Sequence, residues 1–169
     1  MSGGEAAVTA VLYQHTQAAY PIRIGVLIAL AATVVAMLFL PDAQEARWFL
    51  NAILGGVALL FAASLVLFWS MTVRVTDETL EFWFGPGLVR QRVPLPEIVA
   101  VETVRTSFWN GWGIHWTRRG WLYNASGFGA VLVRLRSDKR LLVGTDEPDA
   151  LADALRQAVS RTAGGPMDG

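Results

Sequence analysis

The sequence contains no cysteine, which excludes a disulfide framework, a thiolate nucleophile and a cysteine-ligated metal. Histidine is almost as scarce, since His15 and His115 are the only two and neither belongs to a His-x-x-x-His pair or an acidic cluster. We therefore expect no metal site and no bound cofactor. No nucleophile, base and orienting group are recognisable as a set, so the sequence predicts a protein without catalytic residues that is not an enzyme.

An excess of charge of either sign is also missing, because 14 Lys and Arg residues balance 14 Asp and Glu residues. A protein that binds nucleic acid mainly through phosphate contacts needs surplus positive charge, so no nucleic-acid partner is expected. Lys139 is the only lysine. Arginine, alanine and glycine are abundant instead, which indicates GC-rich codon usage and a bacterial source.

Apolar residues are plentiful and unevenly placed. They make up 53% of the chain, and the mean hydropathy of +0.40 exceeds what a soluble domain of this length usually shows. Residues 22–40 form one apolar run and residues 48–73 form a second, so each predicts a transmembrane helix. The first run is too long for the apolar region of a signal peptide and lacks a small-residue cleavage site.

The connection over residues 41–47 is too short for a domain, so the two spans are expected to form a helical hairpin with an external loop. Basic residues gather on the other side of the membrane, whereas the loop has only Arg47 beside two acids. The positive-inside rule then places residues 1–21 and the domain after residue 73 in the cytoplasm of a bacterial inner membrane. The expected interfacial anchors are Arg23, Trp48, Trp69 and Arg74.

Small residues recur every four positions on both predicted helices. At that spacing they let two helix backbones approach closely, although alanine and glycine are common in such helices anyway. The candidate packing positions are Gly25, Ala29, Thr33, Ala52 and Gly56.

After residue 73 the apolar period changes from helical to alternating, and Gly, Pro and Asp interrupt it at short intervals. This pattern predicts several β-strands. The expected strands are residues 73–76, 80–84, 88–95, 98–105, 130–136 and 140–144. Leu151, Leu155, Ala158 and Val159 then form one apolar stripe, which predicts an amphipathic helix over residues 147–160.

Several motifs support a family resemblance. They are Val75-Thr76-Asp77-Glu78, Phe84-Gly85-Pro86-Gly87, Gly111-Trp112-Gly113-Ile114, Gly120-Trp121-Leu122-Tyr123-Asn124 and Gly144-Thr145-Asp146-Glu147-Pro148. The chain resembles membrane-anchored bacterial PH-domain-like (pleckstrin-homology-like) proteins, many of which have a pair of helices before the barrel. The resemblance implies a membrane α+β protein, in which a PH-like antiparallel β-barrel or sandwich with a C-terminal helix occupies residues 74–161 and a tail follows over residues 162–169.

Residues 106–128 read as one long connection, which contains most of the tryptophan of the domain around Arg118-Arg119. Such a loop inside a small domain is more often functional than idle. Its aromatic side chains either pack as a lid on the barrel or form a surface for lipid or a partner, where Trp and Arg are favoured. The candidate surface residues are Trp109, Trp112, Trp116, Arg118, Arg119, Trp121 and Tyr123.

Two functions follow from these features. The first is a non-enzymatic integral membrane interaction module, which is an accessory or scaffolding subunit of a larger bacterial membrane protein complex such as a respiratory or photosynthetic one. Its partners would be membrane proteins and membrane lipids. The alternative is a PH-like sensor of anionic lipid headgroups, because basic residues outnumber acidic ones over residues 88–140. The simpler explanation of this basic excess is that these residues lie on solvated strand faces. An unrecognised membrane enzyme is a third option.

Overall fold

The computed structural model describes residues 10–39, 44–107 and 112–163. The elements in chain order are β1 (Val11–Ala18), α1 (Tyr20–Phe39), α2 (Gln44–Leu67), β2 (Ser70–Thr76), β3 (Thr79–Phe84), β4 (Val89–Pro94), a 3-10 helix (Leu95–Glu97), β5 (Ile98–Arg105), β6 (Gly113–Thr117), β7 (Gly120–Asn124), β8 (Gly129–Leu135), β9 (Arg140–Gly144) and α3 (Pro148–Ala163). The arrangement is α+β, with two apolar helices, two sheets and a C-terminal helix.

Helices α1 and α2 are long and apolar enough to cross a membrane. The first agrees with the predicted residues 22–40 to within two residues, but the second, predicted over residues 48–73, begins four residues earlier and ends six residues earlier. It ends at Leu67, and the last part of the apolar run belongs to β2. A short apolar run fits a buried strand as well as a helix, and only the partner strands decide between them. Arg74 is therefore not at a helix end but within β2, where its Nε donates to Gln14 Oε1 at 2.8 Å.

The segment before α1 is part of the β domain. Strand β1 pairs antiparallel with β2, from Val11 opposite Thr76 to Ala18 opposite Ser70, and both apolar helices are inserted between these two strands. The expected domain boundary at residue 74 is therefore wrong, and so is the description of residues 1–21 as a separate segment. The first sheet has the order β1-β2-β3-β4.

The second sheet has the order β5-β8-β9-β7-β6. Two of its strands, β6 and β7, lie within residues 106–128, so the expected long connection is in large part a hairpin. Strand β7 runs parallel to β9, so the expectation that all strands are antiparallel is wrong for this pair. The described strands form two separate hydrogen-bonded sheets rather than one closed barrel.

The core lies between the inner faces of the two sheets and is covered by α3. Its largest fully buried side chains include Phe82, Phe84 and Met71 from the first sheet. Helix α3 buries Leu151, Leu155 and Ala158 and packs Val159 partly against the same cluster, so the predicted apolar stripe is confirmed.

Of the five predicted packing positions, only Ala29 and Thr33 are at least half-buried. Thr33 is buried and its hydroxyl donates to the carbonyl oxygen of Ala29 at 2.8 Å. Gly25, Ala52 and Gly56 are exposed, and a Cβ atom added to either glycine would meet no atom within 4 Å. These three positions are not packing positions within this chain. The half-buried side chains of α2 that recur at heptad spacing are Leu54, Ala58, Phe61 and Leu65. All four are larger than glycine, so the contact between the helices does not depend on glycine at these positions.

The base of the helix pair is held by two predicted anchors, Arg23 and Trp69. The Nε and Nη2 atoms of Arg23 donate to the carbonyl oxygen of Trp69 at 2.9 and 2.7 Å, and its guanidinium lies 3.7 Å from the centroid of the Trp69 ring. The amide of Ala19 donates to the same carbonyl at 3.2 Å. Trp48, the remaining anchor, is exposed near the start of α2 and contacts Phe49.

The β3–β4 turn is placed against the end of α2. Gly85 has a φ of +45°, and a Cβ there would lie 2.5 Å from the carbonyl oxygen of Val66 and 2.6 Å from that of Leu67. Only glycine fits both the backbone conformation and the close approach. The start of β4 is consequently fixed beside the end of an apolar helix.

Replacing Arg23 by alanine should lower the stability of the domain by roughly 1–3 kcal/mol, because two charge-assisted hydrogen bonds and a cation–π contact are lost together. The measurement is thermal unfolding in mild detergent, followed by calorimetry. Arg161→Ala, on exposed α3 surface, is the matched control and should change the midpoint little. Equal midpoints for the two variants would contradict the role of Arg23 at the junction.

Candidate functional site

A cleft of about 790 Å³ opens along the side of the domain where β4 forms the edge of the first sheet. Its other walls are the β6–β7 hairpin and the turn between β8 and β9. We call this space the β4 cleft. It contains most of the candidate surface residues predicted above.

The tip of the β6–β7 hairpin is a tight turn that directs two arginines outward. Thr117 Oγ1 donates to the carbonyl oxygen of Gly120 at 2.8 Å and accepts from the amide of Arg119 at 3.2 Å. Gly120 has a φ of +126° and faces the backbone oxygen of Arg140, where any Cβ would clash. The turn is thereby packed against β9, and Arg118 and Arg119 lie exposed at one wall of the cleft.

Two tryptophans form an exposed pair in the β4 cleft. Trp116 and Trp121 lie opposite each other on β6 and β7, with their ring centroids 5.6 Å apart in an edge-to-face arrangement. Their exposed fractions are 68% and 44%. Side chains of a lid would be covered, so these two residues form a surface. Large aromatic rings that remain exposed beside cations are typical of binding surfaces.

Tyr123 belongs to the core, contrary to its prediction as a surface residue. It is only 8% exposed, and its ring lies 4.9 Å from that of Phe82 in an edge-to-face contact. Burial raises the pKa of its phenol above the usual value. Tyr123 on β7 pairs with Val143 of β9 and lies at the floor of the cleft, where the two sheets meet.

The β4 cleft carries an excess of positive charge. Its basic side chains are Arg92, Arg118, Arg119, Lys139 and Arg140, and its acidic ones are Glu97 and Asp138. Arg92 forms an ion pair with the buried carboxylate of Glu81. Within the described part of the chain, the other four have no carboxylate oxygen within 4 Å. The cleft can therefore neutralise a negatively charged ligand.

The remaining predicted residues lie elsewhere. Trp112 is half-buried just before β6 and does not line the cleft, and Trp109 is outside the described residues. The sequence did not predict Gln91 and Val93 as cleft residues. The alternating pattern of β4 shows which of its residues share a face, but it does not show that β4 is the edge strand of its sheet.

Over residues 10–39, 44–107 and 112–163, no group of three His, Asp or Glu side chains is arranged to hold a metal ion. Comparison of the sequence with protein-family models and with curated proteins gives no match.

Proposed function

We propose that this chain is an integral membrane protein anchored by the α1–α2 hairpin. Hardly any residue of these helices is fully buried within the chain, since only 6% of the residues in the most apolar part of α1 and none in that of α2 are buried. A core helix of a soluble protein would be largely covered. A cleavable signal sequence would not follow β1, which is a strand of the folded domain. Lipid is the environment that suits such helices.

The proposed role is a non-enzymatic interaction module, an accessory or scaffolding subunit of a larger bacterial membrane complex. The exposed Trp116–Trp121 pair beside unneutralised cations is the single observation that carries this proposal. Trp and Arg dominate the binding energy of protein interfaces because they combine a large contact area with hydrogen bonding. The resemblance to membrane-anchored PH-like proteins is consistent with such a role but does not define it.

Purification of the tagged chain in mild detergent tests this role. The wild-type chain should bring a partner in constant stoichiometry, identified by mass spectrometry. Trp116→Ala should lose most of that partner, whereas Phe128→Ala, an exposed aromatic residue outside the cleft, should retain it. A clean monomer from the wild-type chain would count against an accessory subunit.

Both termini are proposed to be cytoplasmic, because Arg23, Arg74, Arg90 and Arg92 flank the hairpin on one side. The native chain has no cysteine, so single cysteines can be introduced without background. In intact cells a membrane-impermeant thiol reagent should label Ala43→Cys and spare Ser137→Cys, which lies exposed in the β8–β9 turn. The reverse pattern would overturn the orientation, and labelling of both would mean that one helix does not cross.

A sensor of anionic lipid headgroups is the second candidate. It is favoured by the four basic residues of the cleft that lack a carboxylate partner, since each basic residue near an anionic surface contributes about 1 kcal/mol. In phosphatidylglycerol nanodiscs, the emission maximum of Trp116 in the full chain should then differ from its value in phosphatidylcholine nanodiscs. Added salt should return the maximum to the phosphatidylcholine value. Trp116→Phe identifies the signal. Identical spectra in both lipids would remove this candidate.

A further inference from the structure

We propose that the β4 cleft binds an extended, acidic segment of a partner protein, which is added as a strand along the free edge of β4. This inference rests on the proposed function, because it specifies which kind of partner the interaction module takes. Three observations support it: an unpaired strand edge, an unneutralised cationic wall and the position of the edge beside the end of α2.

Strand β4 is the last strand of the first sheet. In an antiparallel pair, alternate residues direct their N–H and C=O groups away from the partner, and on an edge strand these groups remain available. No turn or loop of the described chain donates to or accepts from residues 90–93 on that side. An added strand of about six residues, roughly 20 Å long, would satisfy these groups along the whole of β4.

The side chains around the edge determine what such a strand must carry. Arg118, Arg119 and Arg140 form the facing wall, so negative charge is needed where the added strand turns toward them. Trp116 and Trp121 offer exposed apolar contact between the cations. Because successive side chains of a strand point to opposite sides, an alternation of acidic and apolar residues fits the cleft.

A second copy of this chain is a poor occupant of the same edge. Arg90 and Arg92 flank Gln91 on β4, so pairing two copies through β4 would bring like charges together, which is one way that proteins prevent edge-to-edge association. An acidic segment meets no such repulsion. Specificity in this arrangement comes from rejecting basic strands as much as from attracting acidic ones.

The position of β4 restricts where the partner segment comes from. Gly85 rests on the carbonyl groups of Val66 and Leu67, and Phe84 beside it pairs with Val89 across the β3–β4 turn, so Gln91 lies two residues along β4 from this pair. At about 3.3 Å per residue, this is roughly 7 Å along the strand. A juxtamembrane segment of a neighbouring membrane protein can reach the cleft at this height.

The test uses the full chain in phosphatidylcholine nanodiscs and a fluorescein-labelled decapeptide of alternating Glu and Val, with binding measured by fluorescence anisotropy. We expect saturable binding that weakens with salt, and no binding of the Lys and Val counterpart. Methylating alternate backbone nitrogens of the acidic peptide should weaken binding by about tenfold or more, because the peptide then lacks the N–H groups that would donate to the carbonyl oxygens of β4.

Two variants assign the site. Arg118→Glu with Arg119→Glu should weaken binding of the acidic peptide by at least about tenfold, whereas Arg156→Glu with Arg161→Glu on the exposed surface of α3 changes the same net charge outside the cleft and should leave it within about twofold. If the first pair perturbs folding, as circular dichroism would show, Arg118→Gln with Arg119→Gln provides a milder change in the same direction.

Equal binding of the N-methylated peptide would overturn strand addition, and an equal effect of the two charge-reversal pairs would overturn the cleft as its site. Displacement of the peptide by phosphatidylglycerol in the disc, without any effect of backbone methylation, would favour lipid over protein. A partner that co-purifies equally well with the Arg118/Arg119 pair would sink this inference and leave the proposed function intact. Absence of any partner with the wild-type chain would contradict the proposed function itself.

Discussion

Deletion of residues 1–18 should unfold the β domain, although these residues precede both apolar helices. Strand β1 connects the first sheet to the start of α3 and to β9. Gln17 Nε2 donates to the carbonyl oxygen of Gly144 at 2.8 Å, His15 Nε2 lies 2.7 Å from Asp146 Oδ1, and Tyr13 donates to Glu147 Oε2 at 3.3 Å. Partial burial and the Glu147 charge raise the pKa of Tyr13 to about 12, so the phenol remains a donor at neutral pH.

The measurement is amide hydrogen exchange in mild detergent. The truncated chain should lose protection across β2, β9 and the start of α3 together, because the sheet edge and the polar contacts are removed in one step. Deletion of residues 1–9 is the control, since it leaves every contact of β1 described above. Protection of β2 and β9 that is unchanged in the longer deletion would show that β1 is dispensable for folding.

Phe82→Ala should lower the free energy of unfolding by about 3–5 kcal/mol, which is the range for truncating a fully buried phenylalanine. Phe82 is 1% exposed and contacts Tyr123, so its removal leaves a cavity between the two sheets. Trp116→Ala should cost less than about 1 kcal/mol, because that ring is mostly exposed and its loss creates no cavity.

Chemical unfolding in a fixed detergent, with hydrogen exchange as a second probe, measures both variants. The contrast separates the aromatic residues that hold the sheets together from those of the β4 cleft. A large loss of stability in Trp116→Ala would mean that the tryptophan pair is structural, and it would remove the main support for a binding surface. A small loss in Phe82→Ala would contradict the assignment of the core.

The site was predictable in its residue types but not in its assembly. Tryptophan and arginine over residues 106–128 indicated either a lid on the barrel or a surface for lipid or a partner, and Trp116, Arg118, Arg119 and Trp121 line one cleft. Their grouping with Gln91 and Val93 depends on the edge of the other sheet, which no local pattern identifies. Tyr123 was misassigned because it shares a face of β7 with the exposed Trp121, and only the contact with Phe82 of the other sheet shows that this end of the face is covered.

The sequence by itself determined the two long apolar helices, the strands Ile98–Arg105 and Arg140–Gly144, and the amphipathic character of α3. Each of these depends on the length of an apolar run or on a period that neighbouring residues carry. Only the tertiary structure decided that β1 belongs to the first sheet, that β7 runs parallel to β9 and that Trp116 is exposed while Tyr123 is buried. The physical reason is that strand pairing joins residues far apart in the chain, as Gln14 and Arg74 are across both helices, and the burial of a residue on a strand face depends on whether the other sheet covers that part of the face.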